Sequence, residues 1–212
     1  MPNLPISGLP QAGELDGSEL FATVQGGITK YTTLDSIIYG PGSNYGLFAQ
    51  TANSTPITGT TVESSLINGG VGTLSVPANT FRVGDSFRAD FGGVLNAANN
   101  QTITIRVKTG SVILLDSGAQ PITNITNNVW TLSINFTIRT LGGPGVASIV
   151  SLGVFNYAKT VNATTEGFAF NTVNNTTFDT TVNNTLDVTV QWGSTAVGNS
   201  IYSDIFVLNK IY

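Results

Sequence analysis

The sequence predicts an all-β fold, an antiparallel sandwich or barrel, on three observations. Apolar and polar side chains alternate in four separate runs, the period of a strand with one buried face. Clusters of Asn, Gly, Pro and Thr break the chain between those runs at short intervals. Helical spacing is confined to a single turn near the N-terminus.

The N-terminal zone comes first. Leu20–Val24 and Ile28–Thr32 are short β-rich runs that flank Gln25-Gly26-Gly27. Paired glycines between such runs signal a hairpin, because the tight turn needs positive φ. Thr33 is placed to cap one helical turn through Leu34–Ile38, and Tyr39–Ser43 reads as a turn or short linker. Such a segment is too small to hold a core alone, so residues 1–45 are read as a separate module that needs a partner. Residues 46–212 are read as the head domain.

In the head, Ser86–Phe91 sets Phe87, Ala89 and Phe91 against Arg88 and Asp90. Gln101–Thr109 places Ile103, Ile105 and Val107 on one face, and Trp130–Arg139 does the same with Trp130, Leu132, Ile134, Phe136 and Ile138. In Leu186–Trp192 the inner set is Leu186, Val188, Val190 and Trp192. Further strand-like runs occupy Thr73–Val76, Val112–Leu115, Val146–Tyr157 and Phe168–Val173, with turns at Asn96–Asn100 and Leu141–Gly145. Many short strands with regular turn signals describe an all-β sandwich.

The last strand differs. Ile201–Tyr212 carries Ile201, Ile205, Val207 and Ile211 on one parity and Tyr202, Phe206, Leu208 and Tyr212 on the other. A strand apolar on both faces is covered on both sides. The expectation is that one set fills the core and that Tyr202, Phe206, Leu208 and Tyr212 form a candidate subunit interface.

Composition narrows the function. Charged residues make up 9% of the chain, against roughly 25% in ordinary soluble domains. The surface is therefore clad in hydroxyls and amides, or part of it is buried against other copies. A formal net charge of −4 with only eight Lys and Arg leaves no basic footprint for nucleic acid. Met1 is followed by Pro-Asn-Leu-Pro, unlike a signal peptide, and no apolar run approaches the roughly 18 residues of a membrane span. Sequons at Asn53, Asn100, Asn124, Asn135, Asn162 and Asn183 follow from an Asn- and Thr-rich composition.

The chain contains no His and no Cys. This removes the commonest general base, the thiolate nucleophile, His-based triads and disulfides. Carboxylate pairs such as Asp85 with Asp90, or Asp179 with Asp187, fall at turns or on solvent faces, where solvation is their expected state. No loop shows the acidic spacing of a dedicated Ca²⁺ site. Gly26-Gly27 and Gly142-Gly143 lack the Lys and helix of a phosphate loop. The expectation is a non-enzyme without cofactor or metal.

Three stretches carry a resemblance: Thr73–Asp85 (Thr-Leu-Ser-Val-Pro-Ala-Asn-Thr-Phe-Arg-Val-Gly-Asp), Thr102–Gly118, and the ending Asn184–Trp192 with Ser200–Tyr212. In this order they resemble the heads of viral and bacteriophage fibre proteins built on a tumour necrosis factor-like jelly roll. Leu4–Leu20 and Val24–Thr33 are similar to short N-terminal modules of phage tail and virion appendage proteins, which implies that residues 1–45 are an anchoring and oligomerisation segment. The chain departs from long fibres in lacking a repeat or collagen-like tract between its two zones, which points to a short appendage. The resemblance implies a homotrimeric structural protein of the virion surface, joined to a virion or capsid protein through its N-terminus and used in host attachment. The implied partner is a host surface glycan or receptor, with candidate contact loops at Asn124, Asn127, Asn174, Asn175 and Asn199. A carbohydrate-binding module and a capsid-cementing protein without adhesive role are the alternatives.

Overall fold

The computed structural model describes residues 19–33, 45–160 and 164–212. The chain divides into two units, residues 1–43 and 44–212. In the first, β1 (Leu20–Gln25) and β2 (Ile28–Thr33) form an antiparallel hairpin. Its two-residue loop is Gly26-Gly27, with φ of 60° and 75°. That left-handed pair matches the strand twist and excludes most side chains. The expected helical turn at 34–38 and linker at 39–43 lie outside the described residues.

The second unit is an all-β antiparallel sandwich. Its early strands are short: β3 (Tyr45–Gln50), β4 (Ile57–Thr58), β5 (Ser64–Ser65), β6 (Gly70–Gly72) and β7 (Ser75–Val76). The strands that follow, all long except β10 and β11, are β8 (Ser86–Ala97), β9 (Gln101–Thr109), β10 (Val112–Asp116), β11 (Gln120–Ile122), β12 (Ile125–Thr140), β13 (Ser148–Thr160), β14 (Thr164–Asn174), β15 (Asn184–Trp192) and β16 (Ser200–Lys210). One sheet runs β14-β13-β12-β8-β16-β3-β6, with β4 also on β16. The other runs β10-β9-β15-β5, with β11 on β9 and β7 on β15. Early strands pair with late ones in nested fashion: β3 with β16, β5 with β15, β8 with β12 and β9 with β10. This is the strand order of a jelly roll, with β13 and β14 extending one sheet.

All inward-facing side chains expected on β8, β9, β12 and β15 are buried. Aromatic rings bind neighbouring strands of the larger sheet. Phe91 stacks on Phe206 with centroids 4.0 Å apart, and Trp130 on Phe155 at 5.6 Å. Each Phe so buried contributes about 1.5–3 kcal/mol through area alone. Both indoles keep a polar partner, Trp130 Nε1 donating to the Tyr202 carbonyl and Trp192 Nε1 to that of Ile57, each at 3.1 Å.

The terminal strand corrects the expectation of strict alternation. Its register on β8 steps from Ser203↔Gly93 to Ile205↔Gly92, so Asp204 is the extra residue of a β-bulge. The bulge switches which parity faces the core. Ile201 and Ser203 point inward before it, and Phe206, Leu208 and Lys210 after it. Phe206 and Leu208, expected at a subunit interface, are only 1% and 4% exposed and belong to the core of the chain itself. The bulge is held by reciprocal bonds, Ser54 N to Ser203 O at 2.8 Å and Ser203 N to Ser54 Oγ at 2.9 Å. Ser203 Oγ adds a bond to the Leu66 carbonyl at 2.6 Å.

Asp85 is a second correction. Instead of being solvated it is buried, with Oδ1 2.9 Å from Nζ of buried Lys210 and Oδ2 accepting from Arg82 N at 2.9 Å. This pair locks the last turn of β16 to the Val83-Gly84-Asp85 turn.

Candidate functional site

The two outward faces of the sandwich differ in chemistry, and that contrast defines the candidate surfaces. On the smaller sheet Glu63, just ahead of β5, is tied to β9 and β15. Its Oε2 meets Arg106 at 2.9 Å, and its Oε1 accepts from Lys108 at 3.0 Å and Thr189 Oγ1 at 2.6 Å. Arg106 continues to Asp116 at 2.8 Å and to Gln191 Oε1 at 2.9 Å. The Thr189 hydroxyl, with Lys108 and Arg106, holds the Glu63 carboxyl below its usual range. Asp187 is occupied by Ser65 Oγ at 2.6 Å. This face is polar and internally paired.

The larger sheet presents a different surface. Ile205 (56% exposed), Leu152, Val173 and Val129 stand outward from it, beside the partly covered Val94, Val150, Val154 and Val207. The Arg88–Asp90 pair at 2.8 Å neutralises itself, and Asp90 also accepts from Ser133 Oγ. Ile205 packs over Gly92, where an added Cβ would lie 2.9 Å from its Cγ2.

The two ends of the sandwich are set by register. Lys210 pairs with both Tyr45 and Phe87, so the chain enters the sandwich at the end that holds its C-terminus. The turns at 77–85, 141–147 and 175–183 share that proximal end, linked by Thr180 N to Gly142 O and Gly84 N to Ile138 O. Val83, Val146, Val182 and Tyr212 are exposed there. The distal end carries the turn at 98–100, the start of β12 and the loop 193–199, as Ala97↔Ile125 and Asn96↔Ser200 show.

The candidate loop asparagines do not converge. Asn124 and Asn127 are exposed at the distal end, Asn127 in the left-handed region at φ 54°. Asn175 is exposed at the opposite end. Asn174 and Asn199 are corrections, since both are buried. Asn174 Oδ1 accepts from the backbone of Thr176, Thr177 and Phe178, closing the turn after β14. Asn199 is fully enclosed, accepting from Ala98 N at 3.1 Å and donating to Gln101 Oε1 at 2.9 Å. Of the four aromatic and aliphatic interface candidates, Tyr202 is half-buried on the outward face and Tyr212 is exposed at the proximal end.

Near the distal end, Thr123 Oγ1, Tyr157 Oη and Lys159 Nζ all donate to Glu166. Led by Lys159, they pull its carboxyl from 4.5 down to about 2. A carboxylate so held is a fixed anion and a structural tie. Among the described residues no group of three acids could hold a metal ion.

No family model and no curated protein matches the chain. Its function is therefore read from these surfaces. Two hollows complete them. An apolar cavity of about 50 Å³ at the proximal end is lined by Phe81, Phe87, Phe136 and Phe178; it is well below the roughly 150 Å³ that admits benzene. A groove of about 190 Å³ crosses the outward face of the larger sheet, between Val129, Thr131, Asn156 and Thr165, over the backbone of Trp130 and Tyr157, whose side chains are buried on the other face. Sequence reasoning did not find the groove, and it set Ile205 in the parity expected to fill the core, whereas Ile205 is exposed. The signal for Ile205 was present in Gly92-Gly93, since paired glycines inside a strand mark a bulge or close backbone approach.

Proposed function

We propose that this chain is a structural and binding protein rather than an enzyme. It is the head of a short virion surface appendage, assembled as a homotrimer with tumour necrosis factor-like packing and used in host attachment. The observation that carries the reading is the outward face of the larger sheet, where Ile205, Leu152 and Val173 are exposed beside a self-neutralised ion pair. A weakly charged apolar face can meet identical copies without like-charge repulsion. Tyr202, Ile205 and Val207 supply the contact that Phe206 and Leu208 cannot. The resemblance of Thr73–Asp85, Thr102–Gly118 and the C-terminal run to fibre heads, and the lack of His and Cys, support the same reading. The chain enters the head at its proximal end, so particle docking is assigned to residues 1–45 and recognition to the distal end.

Light scattering at micromolar concentration tests the assembly. The expected mass is three times 22.1 kDa, falling to that of one chain when Ile205→Glu and Leu152→Glu are combined. Both side chains are about half exposed, so the fold should be retained. A monomeric native chain would overturn the reading and favour a carbohydrate-binding module. Removing residues 1–40 should leave a folded, trimeric head that no longer joins particles. Particle binding by that truncated head would instead identify a capsid-cementing protein.

A further inference from the structure

We infer that the groove at Val129, Thr131, Asn156 and Thr165 is a binding site for one ring of a neutral saccharide. The inference rests on the attachment reading for its biological sense, since it names the chemistry that attachment would recognise.

Three features point to this ligand class. The first is a set of unused hydrogen-bonding groups. Glu63, Asn174, Asn184 and Asn199 all spend their side chains on internal bonds. The side chains of Thr131, Asn156 and Thr165 form no hydrogen bond with any described residue, although all three border one concavity. Together they offer two hydroxyls and an amide, each group both donor and acceptor in the manner of the hydroxyls of a sugar. The second feature is an apolar wall: Val129, 64% exposed, can cover the C–H face of a pyranose.

The third feature concerns charge and space. No Asp, Glu, Lys or Arg lines the groove, and the neighbouring Lys159 is bound to Glu166. An anionic sugar therefore finds no cation here. Gly167, paired with Asn156 across β13 and β14, leaves the Asn156 amide uncovered. A Cβ at position 167 would lie 2.7 Å from Asn156 Oδ1 and 2.1 Å from the Phe155 carbonyl. At about 190 Å³ the hollow is smaller than the roughly 300 Å³ at which drug-sized sites begin, which suits a single ring. One ring without an aromatic platform binds weakly, with Kd of order 1 mM, and three copies would raise avidity without new contacts.

The test is an NMR titration of the full chain with glucose, galactose, N-acetylglucosamine, N-acetylgalactosamine, fucose and sialic acid, each to about 100 mM. At least one neutral sugar should shift the Val129 methyl and Thr131 amide resonances, and sialic acid should not. Thr131→Val combined with Asn156→Ala should raise Kd at least about tenfold while the mass by light scattering stays unchanged. The inference is overturned if no neutral sugar moves those resonances, if sialic acid binds there as well as the best of them, or if the double variant binds as the native chain does. A trimer that binds no sugar removes the groove and leaves the assembly standing. A monomer that binds in the groove does the reverse.

Discussion

Gly93→Ala tests the element that decides which side chains of the last strand face outward. An alanine Cβ at position 93 would sit 2.0 Å from the Tyr202 carbonyl oxygen and 2.9 Å from Ser203 Cα. A relaxed C···O contact is about 3.3 Å or more, so β8 and β16 would have to separate by roughly 1 Å at their centre. Overpacking of this kind costs about 1–3 kcal/mol. The same movement strains the Trp130 Nε1 bond to Tyr202 O, and a buried donor left without its acceptor costs about 1–3 kcal/mol more. The expected loss is about 3 kcal/mol, hence a fall in Tm of about 6–12 °C at this chain length. Thermal unfolding followed by circular dichroism, at one fixed protein concentration because the proposed assembly would contribute to Tm, provides the measurement. Gly143→Ala is the control, since a Cβ there meets nothing within 4 Å. An unstrained Gly→Ala change normally stabilises by about 0.4–1 kcal/mol through the unfolded chain, so the sign itself is diagnostic. If Gly93→Ala is as stable as the native chain, the account of the bulge is wrong.

Three other perturbations follow from the same physical reasoning. Lys210→Met leaves the Asp85 carboxylate buried without its cation and should cost about 3–5 kcal/mol in denaturant unfolding; adding Asp85→Asn should recover part of that loss. Glu166 titrates near 4.5 unfolded and about 2 folded. Its contribution is therefore present above pH 4.5 and is lost as pH falls towards 2. The Tm gap between the native chain and Glu166→Gln should close across that window, and a gap independent of pH would refute the assignment. Ser151 carries the buried side-chain oxygen that has no partner among the described residues, so Ser151→Ala should leave Tm unchanged or raise it by an amount corresponding to about 1 kcal/mol, whereas a marked fall would reveal a missed partner.

The candidate surfaces were only partly legible beforehand. Asn174 and Asn199 have the composition of exposed loop residues, yet each is consumed in closing a turn. An asparagine that caps a turn and one that waits for a ligand look alike in a sequence, because the difference lies in which backbone groups end up beside it. Asn124, Asn127 and Asn175 are exposed, but strand direction puts them at opposite ends. The groove joins residues on β12, β13 and β14, up to 36 positions apart in number, counting from Val129 to Thr165. No local pattern could have announced it.

What the order of residues determined by itself is the all-β class, the Gly26-Gly27 hairpin and the inward faces of β8, β9, β12 and β15. In each case one side chain in two must leave water, and the pleat alone converts that need into alternation. What only the tertiary structure decided is where alternation fails. The inserted Asp204, lodged opposite Gly92 and Gly93, sends Phe206 and Leu208 into the core and turns Ile205 and Val207 outward. That choice depends on two strands more than a hundred residues apart pressing their backbones together, a contact that no reading of either strand alone contains.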